Sequence, residues 1–216
     1  MKYNIKIPKV IHQIYIGEKE MPNQQLEWRK TWQKFNPDWE LILWDDERLK
    51  TIDLQNKDSF KYCKSIASKV DLIRYEIIYN FGGLYIDTDF ECLKSIDSFF
   101  HDKDFIACRQ NPNGPTVANG FIAAIPKHEI LSKLINDTPK RCATHKSEGC
   151  VEKFGPRFLT DVIDEIYGSE FKYSENFDPK NIYPYMWMKQ HRVNDDFKNI
   201  YPDAYAVHHW AQSWCK

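Results

Sequence analysis

The segment Phe81–Glu91, FGGLYIDTDFE, limits what this chain can fold into more than any other. Before it, Ser65–Phe81 carries Ile66, Val70, Ile73, Ile77 and Ile78 at helical spacing, and the glycine pair Gly82-Gly83 is a stop signal. After it, Leu84–Ile86 reads as a short buried strand. That strand runs out into two aspartates one residue apart, where a buried strand normally meets a plain turn. If the strand continues, side chains two apart point to the same side, roughly 7 Å apart at the Cα atoms. Two carboxylates so placed need a cation or donors to offset their repulsion. Oxygen ligands favour Mg²⁺ or Mn²⁺, ions that commonly complete their shells with phosphate oxygens. A DxD alone is weak, because many solvated loops carry one; behind a glycine pair and a buried strand it points to a metal-bridged phosphate ligand.

Elsewhere, strands and helices alternate. Lys9–Ile16 and Trp39–Trp44 read as strands on either side of a helix, Asn23–Phe35, which Asn36-Pro37 stops. Phe105–Cys108 and Gly120–Ile125 read as further strands. Glu129–Asn136 and Pro156–Ile166 read as helices, and Lys140–Glu152, the most polar stretch, as a mobile loop. A last strand, Tyr205–His208, precedes the C-terminus. This alternation predicts an α/β domain with a mainly parallel central sheet flanked by helices. Ligands of such sheets bind beyond the carboxyl ends of the strands, where Asp87 and Asp89 fall.

Length and charge narrow the function. The 216 residues fit one domain, and 42% hydrophobic with 15% aromatic residues is enough for a full core. A net charge of −1 gives no basic footprint for nucleic acid, and no polybasic run would hold the chain on an anionic membrane. The N-terminus lacks the apolar core of a signal peptide and no segment reaches the length of a membrane span, so a cytoplasmic protein is expected. The six cysteines show no CxxC spacing and are expected as thiols. Only Cys142 and Cys150 flanking His145 resemble a zinc cluster, and weakly.

The block ASKVDLIRYEIIYNFGGLYIDTDFECL resembles the central motif of glycosyltransferase family 32, the capsular-polysaccharide and mannosyltransferase-like sugar transferases. It is also similar to the large glucosylating bacterial toxins. IPKVIHQIYIG, WRKTWQKFNPDWELILWDDE, NGFIAAIPKH, FGPRFLT and HHWAQSW fall in the family's order, so the resemblance covers most of the chain. It implies a single GT-A type, Rossmann-like nucleotide-sugar transferase domain over 1–216. Residues 1–110 would be mainly the nucleotide-binding part, and 111–216 mainly the acceptor side with a tail that closes the metal site.

Residue by residue, the resemblance implies that Asp89 binds the metal directly and that Asp87 contacts ribose or sugar, reaching the metal through water. Asp71 and Arg74, three apart on one helix face, would meet the donor: the aspartate takes sugar hydroxyls and the arginine offsets charge near the leaving group. The bland alternative is a surface ion pair. Tyr85 would contact a phosphate or ribose, unless it is simply packed. Tyr15 would stack on the nucleotide base, unless it is a core tyrosine. Asn119 would hold sugar hydroxyls, unless it is a turn residue before a strand. His12 reads as a satisfied buried histidine. From the tail a histidine, or a serine beside a tryptophan (Ser213 and Trp214), would close the metal site, with the Trp214 indole on the phosphates. His208 is preferred over His209 because it directly follows Ala206-Val207 at a strand end.

These roles imply Mn²⁺- or Mg²⁺-dependent, configuration-retaining transfer of a hexose. The donor is a UDP-sugar by preference, with GDP-mannose behind it. With no spare carboxylate to act as nucleophile, same-face attack assisted by the leaving phosphate is the economical route. The acceptor would be a glycan or a lipid-linked oligosaccharide in surface polysaccharide synthesis, the latter with peripheral association at the inner face of the membrane. A protein acceptor, as in the toxins, is the alternative. Two other classes compete: a non-catalytic nucleotide-sugar-binding module, and an aspartate-nucleophile phosphohydrolase. The second would want a hydroxyl residue soon after the pair, where Phe90-Glu91-Cys92 stand.

Overall fold

The computed structural model describes residues 4–109, 111, 114–144, 153–168, 178–186 and 195–211. Its centre is a five-stranded sheet made of β1 (Val10–Ile14), β2 (Glu40–Trp44), β3 (Gly83–Ile86), β5 (Phe105–Arg109) and β6 (Val117–Ala124). The order across the sheet is β2-β1-β3-β6-β5. β1 pairs in parallel with both β2 and β3, and β6 runs antiparallel to both β3 and β5, so four strands point one way and β6 alone opposes them. Short β4 (Phe90–Cys92) leaves this sheet and pairs antiparallel with β7 (Ala206–His208), opposing Phe90 to His208. That small ribbon brings the C-terminal segment beside the aspartates.

Helices cover both faces. α1 (Asn23–Phe35) buries Trp28 and Trp32, and the Trp32 indole donates to Phe90 O at 2.9 Å. Asp45 caps the single turn α2 (Asp46–Leu49) by accepting from Arg48 N. α3 (Ile66–Phe81) starts at Ser65, whose hydroxyl accepts from Ser68 N. Asp71 through Ile78 are buried without interruption, because α3 is sandwiched between the sheet and α4 (Glu129–Thr144). Burying each large aliphatic side chain there is worth about 1.5–3 kcal/mol. α5 (Pro156–Tyr167) packs on the same side, and one turn, α6 (Phe197–Ile200), precedes β7. No helix among the described residues is long and apolar enough to cross a membrane.

The glycine pair has two separate reasons. Gly82 ends α3 at φ +65°, and Gly83 opens β3 at φ +92°. A Cβ on Gly83 would stand 2.5 Å from Val10 O, and one on Gly82 2.7 Å from the Pro126 ring. Only glycine allows the chain to reverse from helix to strand this tightly against β1. His12, fully buried, seals the same junction: its Nδ1 accepts from the Trp44 indole at 3.1 Å, so Nε2 carries the proton and donates to Gly82 O at 2.9 Å. Burial pushes its pKa down to about 4, and the imidazole stays neutral. His12 is a satisfied core histidine.

Three local expectations change. The Glu129–Asn136 helix continues to Thr144, so 140–144 are helical, and 145–152 of the expected loop lie outside the described residues. Pro139 does not break α4 because the carbonyl it leaves unserved, Ile135 O, accepts from Asn56 Nδ2 at 2.8 Å. The strand expected from Gly120 begins at Val117, which places Asn119 and Gly120 inside β6. Finally, Asp87 and Asp89 do not lie on one continuing strand: a turn closed by Phe90 N donating to Asp87 O separates β3 from β4. Cys63, Cys92, Cys108 and Cys142 are free thiols. His145, Cys150 and Cys215 lie outside the described residues.

Candidate active site

The turn between β3 and β4 explains how the two carboxylates are tolerated. Each has its own donors. Asp87 Oδ1 accepts from the Tyr85 hydroxyl at 2.8 Å and pairs with Arg74 Nη1 at 3.2 Å. Asp89 Oδ1 lies 2.9 Å from His208 Nε2, and its Oδ2 accepts from Ala211 N at 2.9 Å. Trp210, at φ +54°, a left-handed conformation uncommon for a bulky residue, makes the bend that aims Ala211 N back at Asp89. The tail thus grips the second aspartate through a side chain and through the backbone.

Asp87, Asp89 and His208 each offer a ligand atom, and these atoms lie within 4.8 Å of one another. Among the described residues they are the one such group. Burial favours the neutral form of both partners of the Asp89–His208 contact, but their mutual attraction wins. Asp89 is held below the usual carboxylate range and His208 above the usual imidazole range. His209 turns the other way: it stacks on Trp28 at 4.0 Å and meets Glu91 Oε2 at 3.0 Å.

Behind this cluster lies a second polar layer on α3 and β6. Arg74 is 5% exposed and spans Asp71 at 3.0 Å, Asp87 and Asn119 O at 2.7 Å, with its guanidinium 4.4 Å from the Tyr85 ring centroid. Burial opposes its charge, but Asp87, Tyr85 and Asp71 hold its pKa above the ordinary value. Asn119 Nδ2 donates to Asp71 Oδ1 at 2.8 Å and to the Tyr75 hydroxyl at 3.1 Å. Burial raises the Asp71 pKa to about 6 even though Arg74 and Asn119 pull it down. Asp71 and Arg74 therefore form an interior ion pair, not a surface one. Arg74 acts on the cluster through Asp87.

The remaining expected residues are spread around this layer. Tyr85 is buried and gives its hydroxyl to Asp87, so it braces that carboxylate. Asn119 is a strand residue, not a turn residue. Tyr15 stands half-buried just past β1, its hydroxyl donating to Glu20 O at 2.9 Å, and is not in the core. Ser213 and Trp214 lie outside the described residues.

Residues 22–106 match the family model described as the glycosyltransferase sugar-binding region containing a DXD motif. That stretch, which carries the DxD, is similar to the DXD-containing glycosyltransferases. Inositol phosphoceramide mannosyltransferase 1 of Schizosaccharomyces pombe is 34% identical over 143 residues, 62% of this chain and 44% of its own length. Mannosyl phosphorylinositol ceramide synthase CSH1 of Saccharomyces cerevisiae is 32% identical over 133 residues, 60% of this chain and 34% of its own. The chain thus spans less than half the length of these relatives. Among solved structures, the PaToxG glycosyltransferase superposes with a TM-score of 0.59 at 19% identity, covering 76% of this chain and 72% of that one. That likeness is one of fold, and the architecture is of the GT-A type.

The donor set fits a divalent cation. Two carboxylates and an imidazole suit Mn²⁺, and all three offer their ligand atoms to one point. A bare notch on β6 supports the fit. A Cβ on Gly120 would stand 2.5 Å from Asp87 Oδ2, so this strand position must be glycine for the carboxylate to lie where it does. Sequence reasoning took Gly120 as a strand boundary; a glycine inside a strand is the signal for such close approach. Gly120→Ala should push Asp87 off its donors and weaken Mn²⁺ binding about tenfold or more, measured by calorimetry. Wild-type affinity in that variant would show that the notch does not shape the site.

Proposed function

We propose that the chain transfers a hexose from a nucleoside diphosphate sugar to an acceptor hydroxyl, with a divalent cation held by Asp87, Asp89 and His208 and with retention of anomeric configuration. The observation that carries this reading is the convergence of those three ligands beyond the carboxyl end of β3, backed by the buried Arg74. A bound cation there would offset the charge on the departing diphosphate. The chain's own groups do the rest. Tyr85 and Arg74 fix the Asp87 carboxylate, Ala211 N fixes Asp89, and Tyr15, half-buried past β1, offers a ring to a base.

The carboxylates beside the cluster are engaged, Asp71 with Arg74 and Asn119, and Glu91 with His209. This favours same-face attack assisted by the leaving phosphate over a protein nucleophile. The relatives' names carry mannose and inositol phosphoceramide. They move the preferred donor from a UDP-hexose to GDP-mannose, and the preferred acceptor to a lipid-borne hydroxyl. On this reading, residues 1–110 hold the nucleotide and the later part faces the acceptor.

A panel of nucleotide sugars with Mn²⁺, scored for slow hydrolysis and for transfer, tests the proposal. GDP-mannose should turn over most readily, and EDTA should abolish the signal. Full activity in EDTA sinks the metal role. Donor binding with no turnover on any acceptor supports the binding-module reading, and phosphate release from simple monoesters alone supports the phosphohydrolase.

A further inference from the structure

Tyr183 is the polar group near the cluster that has no evident task. It is 3% exposed, and its hydroxyl is buried with no hydrogen-bond partner among the described residues. An unpaired buried hydroxyl is costly, and it calls for a reason. Its place is well determined. Asp178 caps the short 3₁₀ turn Pro179–Asn181, and Tyr183 N donates to Pro179 O at 2.8 Å. The ring then wedges edge-on against Phe90 at 5.4 Å and His208 at 5.7 Å. The β4–β7 ribbon that carries His208 next to Asp89 therefore also positions this phenol.

The hydroxyl shares the Gly120 notch with Asp87. From the point where a Cβ on Gly120 would stand, Asp87 Oδ2 is 2.5 Å away and the Tyr183 hydroxyl 3.4 Å. The two oxygens of Asp87 are served unequally. Oδ1 has the Tyr85 hydroxyl and Arg74, whereas Oδ2 stands 3.9 Å from His208 Nε2, too far for a hydrogen bond. Burial, Cys108 and Asp87 keep the Tyr183 phenol protonated, so it has a hydrogen to give.

We propose that Tyr183 is a positioning residue of the cation site, its hydroxyl being the donor that steadies Asp87 Oδ2 once a divalent cation is bound. The inference rests on the metal reading above. Outer partners of ligating carboxylates typically contribute 10–100-fold in metal affinity. In the metal-free chain the same hydroxyl is a liability, so its removal has opposite signs in the two states.

The test is Tyr183→Phe in the full chain, titrated with Mn²⁺ alone and again with UDP and with GDP, beside thermal melts without metal. The expected result is at least a tenfold rise in the Mn²⁺ Kd, with a metal-free Tm no lower than wild type. A Kd equal to wild type in every titration overturns the proposal while leaving the metal site itself standing, provided the wild type binds and Asp89→Ala does not. A weaker Kd accompanied by a lower metal-free Tm overturns it too, because a packing role alone would produce that pair. No Mn²⁺ binding by the wild type in any arm overturns both readings.

Discussion

Asp89→Ala should lower turnover by ~10³-fold or more, the scale of removing a charge-stabilising group from a transition state. Besides its proposed role as a ligand, the residue is the hub of the tail contact. Its Oδ1 meets His208, its Oδ2 accepts from Ala211 N, and its own carbonyl accepts from His209 N at 2.9 Å. Alanine keeps the backbone bond and deletes the other two, so part of the loss in that variant comes from a displaced His208. Asp89→Asn separates the effects: the amide oxygen can still accept from Ala211 N, while the charge that raises the His208 pKa and would hold a cation is gone. Both variants should therefore lose Mn²⁺ binding, with the asparagine form melting closer to wild type. Activity within tenfold of wild type in Asp89→Asn would remove the metal from the mechanism.

Much of this was legible in the sequence because the constraints are local. The glycine pair announces a helix-to-strand reversal. Ser65 and Asn36 mark helix ends, and the DxD follows a strand too apolar to be a surface loop. The preference for His208 over His209 rested on its place directly after Ala206-Val207 at a strand end, and the Phe90–His208 register sets that residue beside Asp89. What escaped depends on pairs distant in sequence. Nothing near Gly120 reveals that Asp87, thirty-three residues earlier, needs its missing side chain. Nothing near Pro139 reveals that Asn56 serves Ile135 O. Tyr183 lies among other aromatics, and only the three-dimensional packing shows that its hydroxyl is left over. The buried state of Asp71 and Arg74 was likewise hidden: three-residue spacing predicts a shared face but not which side of the helix the sheet will cover.

Arg74→Met should cost about 3–5 kcal/mol of stability, the usual penalty for removing one partner of a buried pair, or roughly 10 °C in Tm for a chain of this size. Methionine keeps much of the volume, so the loss is mainly electrostatic. It strips Asp71 and Asp87 of their shared cation and leaves Asn119 O without its donor. The pH dependence identifies the cause. Burial already holds the folded-state pKa of Asp71 at about 6, above its ordinary 3.8. A carboxyl so raised contributes stability that is fully present below pH 3.8 and is lost as pH rises through about 6, because the folded state then binds the proton more tightly than the unfolded one. Removing Arg74, which pulls this pKa down, moves the folded value higher and deepens the loss at neutral pH. Urea unfolding at pH 4 and pH 8 should therefore show the variant much closer to wild type in acid than in base. Equal deficits at both pH values would mean that packing, and not the unpaired carboxylates, accounts for the damage.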